Sequence, residues 1–533
     1  MKSNFLFELW VEDLPPTIQK FAGEKLKTAF VKFFENNEIT YASSEHFSTP
    51  RRIAVFFKDI PRVIPKKVTK IRGPSEKNAF KEGGLPTQAL LGFLKKHNAD
   101  LKDVRVEEVK GNRYVFVEIV KKAKKFEEVF KQYLPQILKN IKFNESMRWD
   151  GNCFPRPVRN ILCIFGKKFL KVSCFGLQPK KTTLTSTGDK IKIENASGYE
   201  KTLLRNKIIP VPEKRKERIL SEFDIEEKKK KVKIERDNFL LEYTVYSTEY
   251  PQVFLKEFDE KFLEIPSEIL VETLKNHQKC FPVYNRNGLA PFFAVVVDGD
   301  FKNINEILEN YKNCVEARFE DAKFFWGEDV SKLLEEHLKN MEKIFCFGIF
   351  KNLKNKTERV LEDCRFLSQI YMPMRKQQIM DVAKYIDFDI ATKIVYEFPN
   401  LHGIAGFYIL KKHGFNKIAD DVRGAVCLDR ITEASALAGI VHRLNTIKSF
   451  FNEKIRPTTS KDPYGLKKIC DEIVFLFINA PIYFEFEKFL NRIFDDVGED
   501  VKKDVYLFIK ERFKIFLEKE GIPCDIVEMV SKF

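Results

Sequence analysis

Near its start the chain reads Phe5-Leu6-Phe7-Glu8-Leu9-Trp10-Val11-Glu12-Asp13-Leu14-Pro15-Pro16, and this stretch decides which class of fold follows. Every second residue from Phe5 to Val11 is a large apolar one, which is the period of a half-buried β-strand. The segment that ends in two prolines closes the strand, and a helical apolar pattern follows as far as Phe34. A strand that leads directly into a helix indicates a mixed α/β module at the start of the chain.

The strand pattern recurs further along the chain. The other strand-like runs are Arg52–Phe57, Tyr114–Val120 and Phe169–Phe175, with helical stretches between them. Residues 281–284 and 292–297 are also strand-like, and Asn287-Gly288 lies between them. Asn-Gly accepts the positive φ values of a tight turn, so we expect a hairpin over residues 281–297. Mixed strands and helices over roughly the first 330 residues are typical of an α+β fold.

After about residue 330 the apolar period becomes helical. One predicted buried helical face is formed by Ala383, Ile386, Ile390, Ile394 and Phe398. We therefore predict a multidomain α+β protein in which mixed α/β modules are followed by an all-helical region. The predicted domains are residues 1–205, 206–328 and 329–533. A chain of this length is too long for one hydrophobic core in most proteins, so several domains are expected.

The composition favours a folded chain with a polyanionic partner. The 533 residues are 44% hydrophobic, include 51 Phe and carry a formal net charge of +16. A cationic surface suits nucleic acid because each Lys or Arg that neutralises a phosphate releases a counterion. A surface that is simply rich in solvated lysine explains the charge equally well.

Several classes of protein are disfavoured by what the sequence lacks. The ten cysteines form no CxxC pair and no Cys/His cluster with zinc spacing, which fits a reducing cytoplasm. The N-terminus does not resemble a signal peptide, and no run of 18 apolar residues exists, so we expect no membrane association. The sequence also contains no P-loop, GxSxG or HExxH motif. His402-Gly403-Ile404 resembles an HIGH segment only superficially, so we expect no active site in this chain.

A series of short segments rich in Pro, Arg and aromatic residues runs through the chain. In order they are Phe7–Pro16, Ser48–Val55, Ser146–Trp149, Arg156–Arg159, His277–Tyr284, Ala317–Phe325, Glu397–Pro399 and Pro457–Tyr464. This succession resembles the signature segments of the β subunit of bacterial glycyl-tRNA synthetase, T-E-E-L-P-P through K-D-P-F. One such match could arise by chance, whereas eight in one order across nearly the whole chain indicate the family.

The resemblance implies a division of labour. In this family an α subunit activates glycine with ATP and Mg, and the β subunit grips tRNA(Gly), so no cofactor is expected on this chain. Residues 1–205 would be similar to a tRNA body-and-tail-binding module, 206–328 to an editing module, and 329–533 to an HD-type helical domain. Family members continue into a C-terminal anticodon-binding domain, which we expect this chain to lack.

The sequence departs from the family at several polar positions. The histidine of R-P-V-H is Arg159, the lysine before M-R-W is Glu145, and the Arg before A-R-L is Glu316. In the HD-type region the metal-ligand positions align with Tyr408, Lys412, His413 and Asn445. A lysine at a ligand position adds positive charge where a cation should bind, so we expect no metal there.

The matched segments supply the candidate tRNA contacts. They are Arg51, Arg52, Arg148, Trp149, Arg156, Arg159, Lys279 and Lys461, with Tyr284 as a further residue that could stack on an unpaired base. Guanidinium forks suit phosphate oxygens, and aromatic rings suit splayed bases. For Arg51 and Arg52 an internal ion pair with Glu8, Glu12 or Asp13 is an equal alternative, and Trp149 also suits a core position.

Three functions therefore stand as hypotheses. The first is a tRNA-binding subunit of glycine–tRNA ligase that works with a separate catalytic α subunit. The second is a diverged, shortened relative that binds structured RNA without a ligase partner. The third, which the ligand positions disfavour, is a metal-dependent phosphohydrolase in the helical region.

Overall fold

The computed structural model describes residues 2–64, 67–81, 83–109, 111–121, 123–149, 151–458, 461–481, 483–523 and 525–526. The chain forms two compact units. The first unit comprises Met1–Lys231, Arg236–Phe254 and Val295–Asn303, and the second comprises Val232–Glu235, Leu255–Ala294 and Ile304–Phe533. This division differs from the three predicted domains, because the middle segment 206–328 is shared between the two units.

The strands are, in chain order, β1 (Lys2–Val11), β2 (Ser43–Thr49), β3 (Arg52–Pro61), β4 (Val63–Ile64), β5 (Lys67–Ser75), β6 (Val104–Val109), β7 (Asn112–Lys121), β8 (Lys124–Lys125), β9 (Met147–Trp149), β10 (Asn152–Phe154), β11 (Val158–Phe165), β12 (Lys168–Phe169), β13 (Thr182–Leu184), β14 (Lys190–Lys192), β15 (Lys233–Ile234), β16 (Pro251–Glu257), β17 (Phe281–Asn285) and β18 (Gly288–Asp298).

The α-helices are α1 (Pro16–Asn36), α2 (Glu76–Ala79), α3 (Gln88–His97), α4 (Phe126–Lys139), α5 (Tyr199–Arg205), α6 (Pro212–Lys230), α7 (Asn238–Ser247), α8 (Ser267–Glu272), α9 (Ile304–Ser331), α10 (Leu334–Asn340), α11 (Leu353–Tyr371), α12 (Lys376–Tyr385), α13 (Lys393–Glu397), α14 (Ile404–Lys412), α15 (Asn416–Cys427), α16 (Glu433–Asn452), α17 (Leu466–Asn479), α18 (Phe486–Ile493) and α19 (Glu499–Lys519).

The first unit is built around an antiparallel sheet of order β12-β11-β1-β3-β2, in which the opening stretch of the sequence forms a central strand. One face of β1 packs against α1 and α4, where the rings of Phe7 and Phe30 lie 5.3 Å apart. The other face, which includes Leu6, is covered by residues from the 191–208 region such as Leu203. The strand is therefore buried on both sides, and the prediction of a half-buried strand was wrong because residues distant in the sequence supply the second cover.

Residues 63–125 form an inserted subdomain between β3 and α4. The short pair β4 and β8 closes its base, and a three-stranded antiparallel sheet of order β5-β7-β6 forms its body. Its small core is separate from that of the main sheet and consists of Ala79, Leu90, Leu94, Val115 and Val117. Helices α2 and α3 contribute to this core, so they cover one face of the three-stranded sheet.

The second unit combines the predicted hairpin with a bundle of helices. Strands β17 and β18 pair antiparallel with Asn285 opposite Gly288, and Gly288 takes a φ of +118°. The helical part begins at Ile304, earlier than predicted, and its core includes residues from α10 through α19. The predicted continuous face from Ala383 to Phe398 is divided among α12, a short 3₁₀ turn at Phe388–Ala391 and α13. Among the described residues no helix is long and apolar enough to span a membrane.

Candidate nucleic-acid interface

Three of the motif segments meet at one end of the main sheet. The backbone N–H of Val11 donates to the carbonyl of Arg51 at 2.8 Å, and that of Glu12 donates to the carbonyl of Pro157 at 3.0 Å. The N–H of Leu14 donates to the carbonyl of Pro50 at 2.8 Å. The end of β1, the turn between β2 and β3, and the segment before β11 therefore lie side by side, although they are far apart in the sequence.

Two candidate arginines at this end of the sheet already have carboxylate partners. The Arg51 Nε atom lies 2.7 Å from Asp13 Oδ1, and the Arg159 Nε atom lies 2.6 Å from Glu12 Oε1. The Arg159 side chain is 57% exposed and that of Arg51 is 29% exposed. Both reach the surface, but a phosphate would have to compete with Asp13 or Glu12 for the guanidinium group.

Arg52 is buried completely and cannot contact a docked RNA. Its guanidinium lies 3.4 Å from Glu249 and 3.7 Å from Glu8, and it donates to the Leu184 carbonyl at 2.8 Å. Burial alone would lower the pKa of Arg52, but the two carboxylates outweigh burial and raise it. The Tyr199 hydroxyl also bonds to Glu8. Arg52 is therefore part of an internal charge network, and its assignment as a tRNA contact was wrong.

Arg148, Trp149 and Arg156 lie on or beside the β9–β10 hairpin. The Trp149 indole packs against the main core, and its Nε1 donates to the Phe154 carbonyl at 3.0 Å. Arg148 is exposed, and half-buried Arg156 donates to the Pro155 carbonyl at 3.0 Å. Neither arginine has a carboxylate within ion-pair distance among the described residues. These two side chains are therefore better placed than Arg51 or Arg159 to receive a phosphate.

The remaining candidates belong to the second unit. Lys279 is half-buried, has a φ of +53° and donates to the Asn276 carbonyl at 2.9 Å. Lys461 is exposed, and its backbone N–H bonds to Thr458 Oγ1 at 3.1 Å. The Tyr284 hydroxyl donates to Glu235 at 3.0 Å, and burial together with that carboxylate raises the pKa of Tyr284.

Two of the aligned metal positions in the helical region form hydrogen bonds with other side chains. The Tyr408 hydroxyl donates to Glu268 Oε2 at 2.7 Å, whereas the Asn445 amide is buried and donates to Asp363 Oδ2 at 2.9 Å. Lys412 is exposed and His413 is half-buried. Within the described ranges, no group of three or more His, Cys, Asp or Glu side chains is arranged to hold a metal ion.

A different polar cluster, which the sequence did not reveal, lies inside the helical part of the second unit. Lys356 Nζ lies 3.2 Å from Asp387 Oδ2 and 2.6 Å from His442 Nε2. His442 Nε2 is 2.8 Å from the same Asp387 oxygen, and His402 Nε2 is 3.6 Å from Asp387 Oδ1. His402 also bonds to Asp389 at 2.8 Å through Nδ1. The Asp387 carboxylate thus lies beside one lysine ammonium and two imidazoles.

Burial sets the protonation of this cluster. Burial lowers the pKa of His442 to about 4, so its imidazole is neutral at neutral pH. Burial would raise the pKa of the Asp387 carboxyl, but His442 and Lys356 hold it well below its usual range. Burial also opposes the charge on His402, yet Asp389 outweighs it and raises the His402 pKa. These residues are far apart in the sequence, and no motif joins them.

Comparison with known proteins agrees with the order of the segments. Residues 5–532 match the family described as glycyl-tRNA synthetase beta subunit. The chain is 29% identical over 548 residues to the glycine–tRNA ligase beta subunit of Bacillus subtilis, covering 99% of this chain and 79% of that protein. It is 30% identical over 534 residues to the beta subunit of Thermotoga neapolitana, with the same two coverages. This chain therefore belongs to the glycyl-tRNA synthetase beta subunit family.

Proposed function

We propose that this chain is the tRNA-binding subunit of a glycine–tRNA ligase and that a separate α subunit attaches glycine to the tRNA. The observation that carries the proposal is the end of the main sheet in the first unit. Three family segments meet there, and one of them contains Arg156. The β9–β10 hairpin, which precedes that segment in the chain, contains Arg148. Neither arginine has a carboxylate partner among the described residues. Glycine activation, with its ATP and Mg, is assigned to the α subunit because this sequence carries no known adenylate-forming motif.

The electrostatics at this end of the sheet suit a phosphate backbone. A guanidinium group binds two phosphate oxygens through parallel N–H donors, and such charge-assisted bonds are stronger than neutral ones. Asp13 and Glu12 neutralise Arg51 and Arg159, so those two arginines contribute more to the shape of the surface than to its charge. Arg148 and Arg156 supply the net positive charge that would attract tRNA.

The helical part of the second unit is proposed to be HD-like in fold without metal-dependent hydrolysis. Tyr408 and Asn445, at two of the aligned ligand positions, are used in hydrogen bonds with Glu268 and Asp363. At the polar cluster, the ammonium group of Lys356 already balances Asp387. A hydrolytic metal needs anionic and neutral ligands around an open position, which a lysine at that place opposes.

Binding of tRNA(Gly) by the purified chain tests the proposal. We expect the affinity to fall on the order of a thousandfold between low and moderate salt if several phosphates are contacted. The double variant Arg148→Ala/Arg156→Ala should weaken binding on the order of tenfold at low salt and reduce the slope of log affinity against log salt by about 2.

The matched control removes the same number of charges from paired arginines. Arg51→Ala/Arg159→Ala should change affinity less, because Asp13 and Glu12 already neutralise those side chains. Equal losses for the two double variants would contradict the assignment of the phosphate contacts. Failure of the wild-type chain to bind tRNA(Gly), with and without the α subunit, would contradict the proposed function itself.

A further inference from the structure

The inserted subdomain carries more than half of the net charge of the chain. Residues 63–125 contain 16 Lys and Arg against 7 Asp and Glu, a net charge of +9, whereas the whole chain has +16. This concentration of charge in a small subdomain is not needed for folding, since like charges repel one another. It is the expected property of a surface that meets a polyanion.

The two faces of the three-stranded sheet differ in what they bear. Val115 and Val117 on β7 are buried in the core that the helices cover. Tyr114 and Phe116 alternate with them and therefore point to the opposite face. Among the described residues, no member of that core comes from this opposite face. The rings of Tyr114 and Phe116 are half-buried and are flanked by charged side chains.

Cross-strand pairing places basic residues around the two rings. Phe116 pairs with Arg72 of β5 on one side and with Arg105 of β6 on the other, so the three side chains share one row of the sheet. The Arg72 guanidinium lies over the Tyr114 ring, 4.3 Å from its centroid. Lys70 Nζ lies 5.1 Å from the Phe116 centroid and forms an ion pair with Glu107.

The charge on this face is only partly neutralised. Glu107 forms an ion pair with Lys70, and Glu118 lies opposite Lys70 in the strand register of β5 and β7. Arg72 and Arg105 are exposed, and neither has a carboxylate within ion-pair distance in the part of the chain that the structure describes. Two unneutralised guanidinium groups thus flank a pair of aromatic rings on one open sheet face.

We propose that this face, defined by Lys70, Arg72, Arg105, Tyr114 and Phe116, binds a single-stranded segment of RNA. Bases of a single strand stack on aromatic rings and on guanidinium planes, and cationic side chains beside them take the phosphates. The Arg72–Tyr114 pair offers a flat cationic surface for one base. Arg105 lies on β6, two strands away from Arg72, where it can bind a phosphate of the RNA backbone. This inference rests on the proposed function and extends it. The end of the main sheet would bind the folded body of the tRNA, and this face would bind a single-stranded segment.

The test compares a labelled single-stranded RNA of about ten nucleotides with a duplex of the same length, using fluorescence anisotropy and the full chain. We expect wild type to prefer the single strand. Arg72→Ala/Arg105→Ala should weaken single-strand binding on the order of tenfold, and Tyr114→Leu, which keeps apolar volume, should weaken it as well. Arg72→Lys keeps the charge but loses the planar group, so it should lose the preference for the single strand.

Arg113→Ala is the matched control. Arg113 is an exposed arginine of β7, the strand that contains Tyr114. Because it is the neighbour of Tyr114 in the sequence, its side chain points to the helix-covered face, where it pairs with Glu76 at 3.2 Å. Its removal should change single-strand binding less than about twofold, because that charge is already neutralised. An unchanged thermal transition for each variant shows that the subdomain remains folded.

The outcomes separate this inference from the proposed function. If wild type binds tRNA(Gly) but not the single strand, or if Arg72→Ala/Arg105→Ala behaves like Arg113→Ala, the inference is overturned and the proposed function stands. Wild-type binding by Arg72→Lys would overturn the stacking arrangement. If the double variant loses assembly with the α subunit and keeps RNA affinity, the face is a protein interface. If wild type binds neither RNA, both proposals fail.

Discussion

The arginines of this protein differ in role according to the carboxylates around them. Arg52 lies without solvent exposure between Glu8 and Glu249, whereas Arg51, its neighbour in sequence, forms a surface pair with Asp13. Sequence alone placed both in one motif and left an internal ion pair and an RNA contact equally open. Only the fold, which brings residue 249 beside the start of β3, separates the two cases.

Replacing Arg52 by Met should destabilise the first unit by about 3–5 kcal/mol, because two buried carboxylates lose their partner. Arg51→Ala should cost less than about 1 kcal/mol, as expected for an exposed pair. Denaturant unfolding followed by circular dichroism measures both. Similar free energies of unfolding for the two variants would show that the internal charge network does not stabilise the fold.

His442 should titrate far below an ordinary histidine, near the value of about 4 that burial gives it. The imidazole of an unfolded chain has a pKa of about 6.5. Between that pH and about 4, His442 therefore binds a proton in the unfolded chain but not in the folded chain. This residue therefore makes the second unit less stable as pH falls through that window, by about 3 kcal/mol in total. His402, whose pKa is raised, acts in the opposite direction and loses its contribution as pH rises.

NMR of the chain labelled at its seven histidines measures these titrations directly, and His442→Asn identifies the signal. We expect one imidazole to remain neutral down to about pH 4 and the His402 signal to titrate above its usual range. A His442 signal that titrates near pH 6.5 would contradict the buried lysine–histidine hydrogen bond.

At the level of secondary-structure elements, periodicity predicted those whose contacts are local. The β17–β18 hairpin, for example, follows from Asn287-Gly288. The predicted face from Ala383 to Phe398 does not form a single helix. A 3₁₀ turn interrupts it at Asp387 and Asp389, whose carboxylates belong to the polar cluster. Burial of β1 on both faces also depends on residues far along the chain, which a strand pattern does not contain.

The loop before α11 contains Gly348, which lies against Ser449 of α16. Gly348 has a φ of +88°, and a Cβ atom there would lie 2.3 Å from Ser449 Oγ and 2.6 Å from the Ser449 carbonyl oxygen. That hydroxyl donates to the Phe347 carbonyl at 2.6 Å and accepts from the Ile349 N–H at 3.1 Å, which fixes the loop on α16. Gly348→Ala should therefore cost more than the roughly 1–3 kcal/mol of backbone strain alone.

Gly414→Ala is the matched control, since Gly414 has a similar φ of +87° but open space around its Cβ position. Gly414→Ala should lower the free energy of unfolding through backbone strain alone, without a steric clash. The difference between the two variants in free energy of unfolding measures the contact with Ser449. Equal losses would show that the loop is not held against α16.

At the scale of the whole molecule, the order of fold types was predictable and the division into units was not. Strand and helix periods gave mixed modules followed by a helical region, and the segment order gave the family. The segment 206–328 looked like a module of its own, yet its hairpin belongs to the second unit and helix α6 to the first. Of the candidate site, the motifs predicted Arg148 and Arg156 as tRNA contacts, and these stay predictions, whereas no motif predicted the buried cluster around Lys356.

The proposed separation of tRNA binding from catalysis is measured most directly by the charging of tRNA(Gly) with glycine by the α subunit alone, by this chain alone, and by the two together. We expect this chain alone to form no glycyl-adenylate and only the two together to charge the tRNA efficiently. Arg148→Ala/Arg156→Ala should raise the KM for tRNA and leave ATP-dependent glycine activation by the α subunit unchanged. Glycine activation by this chain alone, or full charging by the α subunit without it, would contradict a tRNA-binding role that depends on a separate catalytic subunit.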